Sequence, residues 1–279
     1  MSQASVRQGG AGQARARQGD AGQGGLARGG PVRTVLPPIL LGVAVMLLWQ
    51  GAVTLLAIKP FILPGPLTIA GQFGANLQNV ANGMLATGRN ALIGLLIGTV
   101  LGVLLAILAA LVRLLDEMAA PIVAAIAVVP IVALAPVLYT MYGAGAETAR
   151  QFVAALAVFV PVYFNTLKGL RQVRPVHRDL MRSYAATNWQ ATRTVTLPTA
   201  LPFVFTGLRI ASSLAVISAL IAEYFGGPVG GLGKSITSSA SSSNYGLAWA
   251  YVLGGVLLGL LFYSAALIVE KLVTRRSGG

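Results

Sequence analysis

Six stretches of the chain stay apolar for about twenty residues or more, which is the length a helix needs to cross the hydrocarbon core of a bilayer. They fall at 35–58, 90–112, 119–141, 148–168, 203–225 and 247–273. A water-soluble globule cannot accommodate six such segments, and the rest of the composition agrees. Only 10% of the 279 residues are charged and 56% are hydrophobic, against about 25% charged in soluble domains. Cysteine is absent, which excludes a disulfide framework, a thiolate zinc site and a cysteine nucleophile. The expected fold is therefore an all-α membrane protein with six transmembrane helices over 33–279. A tail of Gly, Gln, Ala, Ser and Arg at 1–32 precedes it and has too little apolar surface to order itself. That tail is either a solvated segment or an arm that binds anionic lipid or a partner through Arg7, Arg15, Arg17, Arg28 and Arg33. The first apolar run begins too late and continues too long for a cleaved secretory signal, so it is expected to stay in the mature chain.

The net charge of +13 raises the question of a nucleic-acid partner, and the position of the cations answers it. One side of the predicted topology holds the five tail arginines, Arg113, Lys168, Arg171, Arg174, Arg178, Arg182, Arg193, Lys271, Arg275 and Arg276. The other side holds Lys59, Arg89, Arg150 and Lys234, and Arg209 lies inside the fifth span. Fifteen cations against four is the asymmetry of cytoplasmic loops. It places both termini of a multi-pass membrane protein in the cytoplasm and removes the need for nucleic acid.

Small residues recur at every fourth position in the second span (Gly94, Gly98, Gly102) and in the sixth (Gly255, Gly259), a spacing that lets helix backbones approach closely in lipid. Pro121, Pro130, Pro136 and Pro161 punctuate the third and fourth spans. Each removes a backbone donor, so these spans either line a water-filled path or carry kinks packed between helices. Arg209 and Glu223 are read as the ionisable groups within the membrane. They sit fourteen residues apart on one helix, about 21 Å at the helical rise, so they do not pair with each other; each snorkels to its own interface or contacts solute. The scarcity of carboxylates at mid-membrane depth argues against coupling to an ion gradient.

The segment GGPVGGLGKS at 226–235 ends like a phosphate-binding loop, but Pro228 stands where that motif needs glycine and no strand precedes it. It is read as a tight glycine-rich turn closing the fifth span, leaving the chain without a nucleotide site of its own. The single histidine, His177, has no metal-ligand neighbours. Between the fourth and fifth spans, a turn signal at Arg174-Pro175 opens a loop in which Leu180, Met181, Tyr184 and Ala185 share one helical face. His177, Arg178, Asp179, Arg182 and Ser183 share the other. A short amphipathic helix of this kind rests on lipid or docks into a partner's groove, and Trp189 extends the apolar surface in favour of docking. Six of the cytoplasmic cations lie in the 26 residues that begin at Lys168.

This loop, DLMRSYAATNWQATRTVTLP at 179–198, resembles the EAA loop of binding-protein-dependent ABC transporter permeases. The family's acid falls on Asp179, its two alanines on Leu180 and Met181, its glycine on Ala185, and its terminal Leu-Pro on Leu197 and Pro198. Further stretches resemble the nitrate, sulfonate, taurine and pyrimidine-precursor branch: VPIVALAPVLY at 129–139, FVPVYFNT at 159–166, GLRIA at 207–211, Ala222-Glu223 and GLG at 231–233. The resemblance covers about 35–273. It implies a type I ABC importer-like permease that pairs with a second permease copy, takes a small solute from an extracytoplasmic solute-binding protein and passes it inward by alternating access. Two cytoplasmic ABC ATPase subunits would carry ATP and Mg, leaving this chain with no cofactor and no catalytic residue. In that scheme Asp179, Leu180, Met181, Tyr184, Ala185, Trp189, Leu197 and Pro198 form the coupling helix and its connection. Polar or aromatic candidates for the translocation pathway are Tyr139, Thr140, Tyr163, Asn165, Arg209, Ser212, Ser213, Ser218, Glu223 and Tyr224. The runs LMRSY at 180–184 and EYFGGP at 223–228 resemble members that handle pyrimidine or flavin precursors more than those for nitrate, sulfonate or taurine. Two rivals from other classes are an ion-coupled secondary transporter or channel and a non-transporting membrane scaffold.

Overall fold

The computed structural model describes residues 31–143, 145–227 and 230–277, and among them there is no strand. The basic tail expected at 1–32 lies outside the described residues up to position 30, as does Pro228. The chain divides into two units between Gly51 and Ala52. The first contains most of α1 (Pro31–Leu55), whose stretch Leu36–Leu55 is long and apolar enough to cross a bilayer.

The second unit holds the rest. It begins with α2 (Pro66–Ala75), which is opened by a proline in its first turn, where no backbone donor is missed. α3 (Leu77–Leu111) follows. Its 35 residues rise about 52 Å, so it starts well before the span expected at 90–112. Hydropathy loses those first turns because Gln78, Asn79, Asn82, Arg89 and Asn90 interrupt them, although none of them breaks a helix.

The third expected span is not one helix. α4 (Arg113–Val128) stops before Pro130, a short 3-10 turn occupies Ile131–Ala133, and α5 (Leu134–Tyr142) resumes. Val129 is extended (φ −61, ψ 128), as the ring of a following proline demands, and Pro130 offers no N–H to continue the ladder. The described residues accordingly contain five helices long and apolar enough to cross a membrane. α6 (Thr148–Arg171) continues through Pro161 unbroken. The chain then makes two short helices, α7 (Pro175–Ser183) and α8 (Asn188–Ala191), and a π turn at Thr192–Thr196 that feeds directly into α9 (Leu197–Phe225). α10 (Leu232–Ser241) and the long α11 (Tyr245–Ser277) complete it.

Helix α6 packs between α3 and α9, and small residues permit the approach on both sides. A Cβ added at Gly94 would stand 2.5 Å from the Ala154 Cβ, at Gly98 2.8 Å from the Val158 Cβ, and at Gly102 3.0 Å from the Phe159 carbonyl oxygen. On the α9 side, a Cβ at Gly207 would stand 3.2 Å from the Pro161 carbonyl oxygen. Pro161 therefore lies at a closely packed crossing. In α11 the two glycines differ: Gly255 meets Leu220 of α9, whereas Gly259 has nothing within 4 Å and is not a packing residue within this chain.

Candidate functional site

The loop between α6 and α9 is built by its own local sequence. Pro175 starts α7, and Tyr184 caps it. The N–H of Ala185 donates to the Arg182 carbonyl at 2.9 Å and that of Ala186 to the Met181 carbonyl at 3.0 Å, the paired bonds that end a helix through a left-handed residue. That residue is Ala185, with φ 51. Glycine is the usual occupant because it has no Cβ to clash there, and Ala185 is the position on which the resemblance places the family's glycine. Thr187 then begins α8 with a reciprocal cap: its hydroxyl accepts from the Gln190 N–H while the Gln190 side chain accepts from the Thr187 N–H.

The shared apolar face expected for Leu180, Met181, Tyr184 and Ala185 is divided. Helix α7 ends before Tyr184, so Tyr184 and Ala185 belong to the turn rather than to the helix face. Leu180 and Met181 line a cavity of about 260 Å³ against Thr194, Val195, Pro198 and Thr199, together with His177, which had been placed on the opposite face. Tyr184 and Trp189 remain 75% and 68% exposed, two large rings standing in solvent on a loop. Asp179 is exposed and loosely paired with Arg182, 3.9 Å away.

A second assembly lies where α3, α6, α9 and α10 meet. Glu223 is fully buried and does not snorkel to an interface. Its carboxylate accepts from Arg150 Nη1 at 2.9 Å, from the Thr87 hydroxyl at 2.9 Å and from the Gly233 N–H at 2.9 Å. The Thr87 oxygen in turn accepts from the Leu232 N–H at 2.9 Å. Arg150, expected among the cations beyond the spans, is instead buried inside α6, with its Nε lacking a partner. Burial of one charge is tolerated because the other sits against it. Toward the surface the chain of charges continues through Glu147, 3.9 Å from Arg150 and bonded to the exposed Arg89 at 2.8 Å. Arg209 does not stand alone either: it pairs across to Glu270 of α11 at 3.1 Å. Arg209 and Glu223 are therefore not the only ionisable groups within the spans: Arg150 and Glu270 also sit inside spans, where the apolar runs mask them.

The phosphate-loop likeness at 226–235 has a physical basis. One of its backbone N–H groups, that of Gly233, does meet an anion, as helix N-termini do, but the anion is the protein's own Glu223, while the Leu232 N–H goes to the Thr87 hydroxyl. A Cβ at Gly231 would overlap the Glu223 carboxyl group, and one at Gly233 would stand 2.7 Å from the Glu223 Cβ. Gly227 and Gly230 take φ of 106 and 122, so the turn needs glycine for its backbone as well.

The other candidate pathway residues are dispersed. Ser213 and Tyr224 come together on a groove of about 580 Å³ between α9 and α11, with Ile217, Leu220, Gly259 and Tyr263. No Lys, Arg, Asp or Glu lines it. Tyr139 is buried near the Glu223 assembly, its hydroxyl 3.4 Å from the Ala222 carbonyl. Tyr163 is buried among Phe159 and Phe164. Asn165 donates to the Pro161 carbonyl at 2.8 Å, and Thr140, which is exposed, donates to that of Val137 at 2.7 Å. Ser212, which donates to the Arg209 carbonyl, and Ser218 are buried. Thr87 and Tyr263 were not foreseen. Tyr263 follows the Gly255 and Gly259 spacing along α11 and could have been found from it, whereas nothing local marks Thr87.

Long apolar helices packed through small residues, followed by a loop of short helices with exposed aromatic rings ahead of Leu197-Pro198, define a membrane-embedded permease subunit. Residues 98–278 match the family described as binding-protein-dependent transport system inner membrane component, and the chain belongs to it: it is an ABC importer permease. Among curated relatives, the riboflavin transport system permease protein of Chloroflexus aurantiacus is 38% identical over 86% of this chain and 90% of its own length. The formylaminopyrimidine transport permease protein of Halalkalibacterium halodurans is 28% identical over 85% and 94%, and the taurine transport system permease protein of Escherichia coli 30% identical over 75% and 76%. An amino acid ABC transporter crystallised with histidines shares the fold, with a TM-score of 0.58 at 17% identity over 72% of this chain and 95% of that one.

Proposed function

We propose that this permease carries a neutral, planar heteroaromatic solute of the flavin or pyrimidine-precursor class from an extracytoplasmic binding protein to the cytoplasm. The observation that carries the reading is the groove between α9 and α11: two tyrosines, Ser213 and aliphatic side chains, with no cation to hold a sulfonate or carbonate group. The 38% identity to a riboflavin permease points the same way. Ser213, Tyr224 and Tyr263 would offer hydroxyls and ring faces to a heterocycle; the remaining pathway candidates act behind that surface.

In this reading the permease pairs with a second copy, and each copy's loop at 179–198 meets a cytoplasmic ATPase subunit. Tyr184 and Trp189 are the exposed anchors and Asp179 the acidic contact, consistent with apolar anchors ringed by polar groups. Leu180 and Met181 line a cavity shared with Pro198 and Thr199 at the start of α9, and through this junction closure of the ATPases would reach the helix that bears the groove. ATP and Mg belong to the ATPases. Both termini lie in the cytoplasm of a bacterial cell, on the side where the excess of cations falls. The test is competition: ATP-driven uptake of labelled riboflavin is expected to be suppressed by unlabelled riboflavin or formylaminopyrimidine and unaffected by taurine. Absence of riboflavin uptake together with ATP-driven uptake of labelled taurine would replace the solute class with a sulfonate.

A further inference from the structure

Helix α10 follows the fifth span through a turn whose first N–H groups would be left without intrahelical partners. Two of them are held by other elements: Gly233 donates to Glu223 of α9, and Leu232 donates to Thr87 of α3. Arg150 of α6 fastens the same carboxylate from the opposite side at 2.9 Å. Three helices thus grip the start of a fourth through one buried carboxylate, which the absence of Cβ atoms at Gly231 and Gly233 brings within reach. Elsewhere on α10, Ile236 lines the α9–α11 groove together with Tyr224. Exposed Ser238 and Ser241 face away from that contact.

We infer that Glu223, Arg150 and Thr87 are positioning residues for transport: they make α10 one rigid body with α3, α6 and α9. The part of the groove that Ile236 lines then opens only when that whole body moves, and α10 does not swing as a separate lid. This rests on the groove being the solute path. Glu223 contributes through α10 without touching solute, because its oxygens are already engaged by protein donors.

The lack of cysteine makes a distance measurement direct. Spin labels on Asn82→Cys of α3 and Ser238→Cys of α10, both exposed, are introduced into the complete transporter reconstituted in lipid vesicles. The expected result is a narrow distance between the two labelled positions within each copy that does not change between resting transporter and ATP turnover. Glu223→Gln and Thr87→Val broaden it, whereas Thr87→Ser, which keeps the hydroxyl, leaves it narrow. Glu223→Gln is also expected to reduce the maximal rate of riboflavin uptake by tenfold or more while the half-saturating riboflavin concentration shifts less than twofold. A distance that changes during turnover in the otherwise unsubstituted chain, or one that stays narrow in both Glu223→Gln and Thr87→Val, overturns the inference. The distances are read whether or not riboflavin is carried. Absence of riboflavin uptake with narrow distances would therefore overturn the solute reading and leave the clamp standing.

Discussion

Three residues are held in states that their chemistry resists. Ala185 occupies the left-handed region at φ 51, where an L side chain is disfavoured by about 1–2 kcal/mol. Ala185→Gly is expected to stabilise the turn by up to about 1 kcal/mol, after glycine's extra unfolded-state freedom is offset. Hydrogen exchange at the Ala186 amide, bonded to the Met181 carbonyl, should slow by about fivefold; unchanged or faster exchange would contradict the strain. Arg150 and Glu223 form a buried pair, and removing one partner of such a pair costs about 3–5 kcal/mol by leaving a charge without compensation. Arg150→Met should therefore lower the melting temperature in detergent sharply, and Arg150→Met combined with Glu223→Gln should recover most of the loss. Additive losses would show that the pairing is not what stabilises the site. The sequence marks Glu223 as unusual but not its partner, because contact between positions 73 residues apart is a tertiary fact.

At the scale of elements, the apolar runs were legible, since the need to satisfy every backbone group in lipid leaves little choice but helix. The glycine ladder of α3 was legible too, and its meeting with α6 shows where close approach is required. Gly98→Ala should destabilise the bundle by about 1–3 kcal/mol through overpacking, because the new Cβ would overlap the Ala155 carbonyl oxygen and crowd Val158. Gly259→Ala, with open space around it, should leave the melting temperature within error; an equal loss at both sites would refute the assigned packing. Three things escaped sequence reading for physical reasons. Pro121, Pro130, Pro136 and Pro161 are all visible in the sequence, but hydropathy does not tell that Pro130 alone breaks the helix while the other three lie within helices. The polar first turns of α3 fall below any hydropathy threshold while remaining good helix. Helix α10, rich in serine, reads as a loop until the capture of its first N–H groups by Thr87 and Glu223 is seen.

For the whole molecule, the chain belongs to the ABC importer permeases, and its proposed cycle runs from the exposed loop at 179–198 to the groove between α9 and α11. Asp179→Lys combined with Tyr184→Ala should uncouple the two while leaving the membrane fold intact, because both side chains are solvent-exposed and neither packs in the core. Uptake should then fall at least tenfold with unchanged yield of folded protein; full uptake with normal ATPase stimulation would remove the loop from the coupling path. In the proposed cycle this chain moves a flavin-class solute with an external motor. The most direct test is riboflavin uptake into proteoliposomes containing the permease, with and without its ATPase subunits and binding protein. Uptake is expected only when both partners and ATP are present, insensitive to collapse of proton and sodium gradients. Uptake by the permease alone, driven by an ion gradient, would contradict it.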